Sequence, residues 1–349
     1  MIQNSTHIEG EYLRDILDQP RAIRDTTLAL ADSSQLAEFA RQISSTSYDR
    51  IVLTGMGGSF HALNPLYLRL VSLGLPVVMA ETSELLYFMP KLVSRRTLML
   101  VVSQSGRSAE IIRLLDRKGE RPVVLGVTND ATSPLAAKSS TVALIQAGPE
   151  ASVSCKTTTA TLAALALLGE CVAGSNGHSV KEQLELAAQF VEDYLGQWRT
   201  HVDSLMQKLE GVRHLFITGR GSSQVATGIG GMMMKEAAHF HAEGMGSAAF
   251  RHGPFEMLDK DCCVVVLAGD AHVEPLHKKL VEDVRETGAK AVLVGATAES
   301  AEFRLPDLNS ETRPIAEMIP LQMVSLALAA IGGREPGKFE RIGKVTTSE

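Results

Sequence analysis

The chain has 349 residues, 45% hydrophobic and 21% charged, with a formal charge of −6 and both signs mixed along its length. That is too long for one small core and long enough for two ordinary domains, and the composition excludes a disordered chain. It also excludes a nucleic-acid surface, which needs clustered Lys and Arg.

The start, MIQNSTHIEGEYLRD, is polar and acidic and lacks the apolar segment of a secretory signal. Residues 8–47 read as helix, with Ile8, Tyr12, Ile16, Ile23 and Leu28 at near-helical spacing and an interruption at Pro20. Arg50 to Thr54 reads as a short buried strand that turns at Gly55-Met56-Gly57-Gly58-Ser59 into the helical run FHALNPLYLRLVSLG. Pro76 to Ala80 is a second strand, and ETSELLYF after it opens a helix with Thr82 or Ser83 as N-cap. TLMLVVS is a third strand and runs into the helix QSGRSAEIIRLLDRKG; PVVLGVT and TVALIQA are a fourth and a fifth. A helix over 157–172 closes this unit, and helical, charged sequence at 180–210 leads on.

The pattern then restarts. His214 to Thr218 is a strand ending in Gly219-Arg220-Gly221-Ser222-Ser223, followed by the strand VVVLAG, a helix at 274–288 and the strand AVLVGA. VLTGMGGS and FITGRGSS form a weak internal repeat. Its period, about 164 residues, is that of a duplicated domain and far longer than a solenoid's. Strand–helix alternation with short connections predicts an α/β fold of two tandem doubly wound, flavodoxin-like parallel sheets with flanking helices. The segments read as an N-terminal helical part at 1–47, a first domain at 48–175, a linking helix at 176–210, a second domain at 211–335 and a tail at 336–349.

The longest apolar runs, about 161–174 and 318–331, fall short of the roughly 20 residues of a membrane span. The expectation is a soluble, cytoplasmic protein with no membrane partner. Cys155, Cys171, Cys262 and Cys263 form no CxxC pair and are expected to stay reduced. His239, His241 and Glu243 are the one candidate ligand cluster. No Cys or His pair completes it, so it reads as a polar helix end, and no metal or cofactor is expected.

In an open parallel sheet, ligands lie beyond the carboxyl ends of the strands. Gly57, Gly58 and Ser59 follow the first strand, and Ser103, Gln104, Ser105 and Ser108 follow the third. Both groups open a helix, where free N–H groups and the helix dipole attract anions. Hydroxyls add donors without charge, so a phosphate held there needs no Lys or Arg. The same residue types also cap an ordinary turn, and SQSG alone fits either reading. No GKS or GKT follows, and Gly55-x-Gly57-x-x-Phe60 lacks the third glycine of a dinucleotide fingerprint.

GMGGSFHA, VVSQSGRSAEIIRLL and AGPEASVSCKTTTATL, in that order and spacing, resemble the sugar isomerase (SIS) domain family. GRGSSQVATGIGGMMMKEAAHFHAEGMGSAAFRHGPFEML is similar to the second SIS domain in the isomerase half of glucosamine-6-phosphate synthase. IGKVTTSE resembles that enzyme's tail, and YLRDILDQPRAIRDT its Glu-Gln-Pro helix. The resemblance implies two tandem SIS domains and a homodimer that binds a phosphosugar in sites shared between subunits. By motif it implies Ser59, Ser103, Gln104, Ser105 and Ser108 on the phosphate and sugar hydroxyls, with Val153 and either Ser154 or Cys155 on the other side. It implies Glu236 as the base between C1 and C2, His252 as the histidine that assists ring opening in the neighbouring subunit's site, and Lys344 as the tail lysine that covers the sugar.

There are departures. The synthase pattern has a Glu and a Lys where this chain has Ile229 and Met233. Met1 is followed by Ile2, with no Cys nucleophile, so the chain is expected not to release ammonia from glutamine itself. The expectation is an enzyme on a 6-phosphosugar or amino-sugar 6-phosphate, of the isomerase or deaminase type. The alternatives are a fructosamine-6-phosphate deglycase and a non-catalytic phosphosugar sensor.

Overall fold

Short runs of Val, Ile and Leu bounded by glycine build two parallel sheets. In the first, β1 (Arg50–Gly55), β2 (Val77–Met79), β3 (Thr97–Val102), β4 (Val123–Thr128) and β5 (Thr141–Leu144) lie in the order β2-β1-β3-β4-β5, every neighbouring pair parallel. This is the flavodoxin-like order. In the second, β6 (His214–Gly219), β7 (Ala242–Gly246), β8 (Cys262–Leu267) and β9 (Lys290–Val294) lie in the order β7-β6-β8-β9, again parallel. The computed structural model describes residues 5–45, 47–119, 121–174, 178–341 and 343–346.

The helices in chain order are α1 (Glu11–Leu17), α2 (Gln19–Leu30), α3 (Ser34–Ile43), α4 (Gly57–Ala62), α5 (Asn64–Ser72), α6 (Thr82–Tyr87), α7 (Ala109–Asp116), α8 (Pro134–Lys138), α9 (Lys156–Val172), α10 (His178–Leu195), α11 (Trp198–Lys208), α12 (Gln224–Ala238), α13 (Ser247–Arg251), α14 (Glu274–Glu286) and α15 (Arg313–Ile331). Contacts divide the chain into two compact units, each discontinuous in sequence. One holds the first sheet, from Arg21–Glu150, Ser154–Glu185 and Arg341–Glu349; the other holds the second, from Met1–Pro20, Ala151–Val153 and Leu186–Glu340. Val52, Met99, Val101, Ile111 and Leu135 pack in the first core, and Phe216, Phe250, Val264, Leu280 and Val284 in the second.

Several details differ from the sequence reading. The single N-terminal helix is three, and the first break, at Asp18 between α1 and α2, falls just before Pro20. Pro20 sits in the first turn of α2, where a missing N–H leaves no bond unmade. The N-cap of α6 is Glu81, because Thr82 turns its hydroxyl to that of Thr54 at 3.0 Å. The supposed polar helix end is a helix end plus a strand. His239 is the left-handed cap of α12, with φ 50°, and Glu243 lies exposed in β7. Among the described residues no group of His, Cys, Asp or Glu is arranged to hold a metal. α15 extends beyond the 318–331 run and is long and apolar enough to cross a membrane, yet 94% of its apolar window is buried in the protein.

Candidate functional site

In the first sheet the chain leaves β1 towards β2 and leaves β3 towards β4, so the two exits diverge and open a crevice at their carboxyl ends. Gly55, the last residue of β1, pairs with Val102, the last of β3, which sets the two glycine- and serine-rich turns side by side. Gly106 is indispensable there. Its φ is +60°, and a Cβ would run into the Ser133 side chain.

Within the second turn, Ser103 is buried and its Oγ accepts the Gly106 N–H at 3.1 Å; Ser105 Oγ accepts the Arg107 N–H at 3.2 Å. Both serines therefore cap their own turn, and each keeps an O–H to donate outward. Ser108 is the N-cap of α7 and makes no side-chain cap bond. Ser59, in the first turn of α4, and Gln104 are half-buried. Gln104 is fixed through its main-chain carbonyl, which accepts from Asn129 N at 3.0 Å and Thr128 Oγ1 at 3.2 Å.

The one cation of this turn is held aside. Arg107 donates to Asp130 at 2.8 and 3.1 Å and to Thr132 Oγ1 at 3.1 Å. Hydrogen bonds from Thr132 and Arg107 hold the Asp130 carboxyl at about 2. What remains at the strand ends is a set of neutral hydroxyl and amide donors. Burial pushes the His61 imidazole, in the adjoining helix, below its ordinary value.

The C-terminal tail comes to the same unit. Lys344 Nζ lies 2.6 Å from Glu150 Oε2 and 3.0 Å from Ser154 Oγ, and the Thr346 carbonyl accepts the Ala109 N–H at 3.2 Å. Glu150 was not singled out by the sequence. Its Oε1 accepts the Cys155 and Thr157 N–H groups at 2.9 and 3.0 Å at the start of α9, and its Oε2 accepts the Thr157 hydroxyl at 2.6 Å. Burial pushes its carboxyl up, but the Lys344 charge and the Lys344 and Thr157 hydrogen bonds outweigh this and leave it below its ordinary value. An acid just before a helix start was the available signal. Ser154, not Cys155, turns its side chain to Lys344; Cys155 is fully buried.

The other expected residues belong to the second unit. Val153 is buried. Glu236 is half-buried on α12, and His252 is exposed as the cap residue after α13. Ile229 and Met233, which replace the polar synthase residues, are buried on α12 at 5% and 1% exposure. At the carboxyl end of β6 the repeat is visible in the backbone: Gly221, with φ 57°, stands where Gly57, with φ 52°, stands after β1. The surroundings differ, because Asp270 and Arg313 pair there at 2.5 Å and Ser223 donates to Glu317 at 2.7 Å.

A doubly wound parallel sheet whose divergent strand ends carry neutral donors defines an α/β protein built to bind a small polar ligand. The SIS domain model matches residues 46–170 and 208–332, and the chain belongs to the SIS domain family. It is 28% identical to the isomerizing glutamine–fructose-6-phosphate aminotransferase of Pyrococcus horikoshii, over 98% of this chain and 58% of that protein. The chain thus spans little more than half the length of that relative. Among solved structures it is similar to the C-terminal domain of glucosamine-fructose-6-phosphate aminotransferase from Francisella tularensis, with a TM-score of 0.77 and 22% identity over 95% of this chain and 98% of that one. It is also similar to glucosamine-6-phosphate deaminase from Thermotoga maritima, with a TM-score of 0.78 and 17% identity over 96% and 99%. At those identities the two structures show the fold.

Proposed function

We propose that the chain is an enzyme of the sugar-phosphate isomerase and deaminase type, acting on a 6-phosphosugar or an amino-sugar 6-phosphate by proton transfer between C1 and C2. The observation that carries this reading is the neutral donor set of the β1 and β3 turns beside a docked tail lysine, with Arg107 tied to Asp130. Family membership and the names of the relatives support it.

In this reading Ser59, Ser103, Gln104, Ser105 and Ser108 hold the phosphate and sugar hydroxyls, with Val153 and Ser154 opposite. Glu236 is the base: one carboxylate near both carbons takes a proton from one and returns it to the other through an enediol. His252 moves the proton between the ring oxygen and the anomeric hydroxyl, a step suited to imidazole near neutral pH. If an amine sits on C1 or C2, the same proton transfer precedes its release, as deamination or as fructosamine-phosphate cleavage. The burial of Ile229 and Met233 favours a second reading, a phosphosugar sensor without turnover, because the two polar groups of the synthase pattern are missing from α12.

Exchange of the sugar C2 proton with heavy water, followed by NMR, separates the two, since it reports proton abstraction whether or not an amine leaves. Wild type should exchange with a 6-phosphosugar that it binds. Glu236→Gln, which keeps the shape and removes the base, should slow exchange by roughly 10²–10⁴ with binding nearly intact. Binding without exchange in wild type would leave the sensor.

A further inference from the structure

Capping does not account for all of Glu150. Its Oε1 serves the two main-chain donors at the start of α9, and its Oε2, besides taking the Thr157 hydroxyl, meets the Lys344 ammonium of the tail at 2.6 Å. The Glu150 side chain is fully buried and that of Lys344 is 19% exposed, so the pair is shielded from the water and salt that make surface pairs nearly worthless. A buried carboxylate that loses its cation is strongly destabilised. Two residues on, the tail delivers the Thr346 carbonyl to the Ala109 N–H, the first amide of α7 and the neighbour of Ser108.

We propose that Glu150 is the positioning residue of the C-terminal tail. It holds the Lys344 side chain beside Ser154 and so docks the tail across the start of α7, tying tail closure to the N-terminus of α9. That this docking serves turnover rests on the isomerase and deaminase reading above; the docking itself does not.

The Ala109 amide reports the docked tail directly. In the full chain, hydrogen exchange at Ala109, resolved by NMR, should quicken about tenfold or more in both Glu150→Gln and Lys344→Met. In Lys344→Met, the Cys155 and Thr157 amides should stay protected, because their acceptor is intact. Ser154→Ala should leave Ala109 protected, and Glu150→Asp should restore part of what Glu150→Gln loses. If Glu150→Gln does not fold, Lys344→Met and Ser154→Ala decide between Glu150 and Ser154 as the group that holds the ammonium. Unchanged Ala109 protection in Lys344→Met overturns the proposal, as does equal loss in Lys344→Met and Ser154→Ala. Where wild type exchanges the C2 proton of a 6-phosphosugar, Glu150→Gln should lower kcat about tenfold or more and move KM by less than about threefold. Amide exchange as expected with no wild-type turnover would sink the enzymatic reading and leave the docking in place.

Discussion

Glu317 shows how far one residue can depart from its surroundings. It stands in the apolar run of α15, fully buried, with Oε1 taking the Ser223 hydroxyl at 2.7 Å and Oε2 without a hydrogen-bond partner among the described residues. Burial pushes its carboxyl up to about 7, against the Ser223 bond and the charge of Arg313, and Asp270 adds to the rise. The folded chain therefore holds this proton more tightly than the unfolded chain, whose carboxyl titrates at its ordinary value of 4.5. Folded stability should fall as pH rises from that value towards the folded one, and level off above it. The whole effect is about 3 kcal/mol for a shift of this size. Urea unfolding of wild type and Glu317→Gln at a series of pH values from 5 to 9 is the test. The variant should gain on wild type up to about pH 8 and then run parallel to it. A difference that does not change with pH would mean that Glu317 titrates as an ordinary carboxyl.

At the level of elements, the close approach of α12 to β7 depends on glycine. A Cβ on Gly244 would fall on the Thr227 carbonyl, and one on Gly231 would come 2.7 Å from the Gly244 nitrogen. Gly58, in α4, has nothing within 4 Å of its Cβ position. Gly244→Ala should therefore lower the unfolding free energy by at least about 1–3 kcal/mol, the cost of overpacking a filled interior. Gly58→Ala should be neutral or slightly stabilising, as alanine is in a helix. Equal melting temperatures for the two variants would refute this account of the contact. The same contact explains what the sequence conceals. β1, β3, β4, β6 and β8 are legible as unbroken apolar runs because both faces are covered. β7, AEGMG, carries two glycines, one of them Gly244 against α12, so it lacks a strand's composition. Ser103, Ser105 and Ser108 are legible because chemistry and strand position coincide within six residues. Glu150 is not, since the cation that it holds lies 194 residues away. Nor is Glu317, which meets Ser223 at a separation of 94.

For the whole molecule, we propose a homodimer in which each site borrows a histidine. His252 supports this by its place: exposed, just after α13, with the preceding Arg251 anchored to Asp283 at 2.7 Å. An anchored helix that ends in an exposed imidazole can reach a group outside its own chain. In a twofold dimer, any residue lent to the partner is borrowed back by symmetry. A site made of Glu236 from one chain and His252 from the other can then be rebuilt from two inactive variants. In a mixed dimer of Glu236→Gln and His252→Ala, one site combines the intact Glu236 of the second variant with the intact His252 of the first, and the other site lacks both groups. Equal, random mixing makes half the dimers mixed, each with one working site of two, so the expected activity is about a quarter of wild type. Were both groups drawn from the same chain, every site in every dimer would lack one of them and mixing would restore nothing. The measurement is C2-proton exchange on dimers formed by unfolding and refolding the two variants together, with mixed dimers isolated through different affinity tags. Exchange in the isolated mixed dimers at about half the wild-type rate per dimer supports sites shared between subunits. Exchange no faster than in either parent variant rules them out.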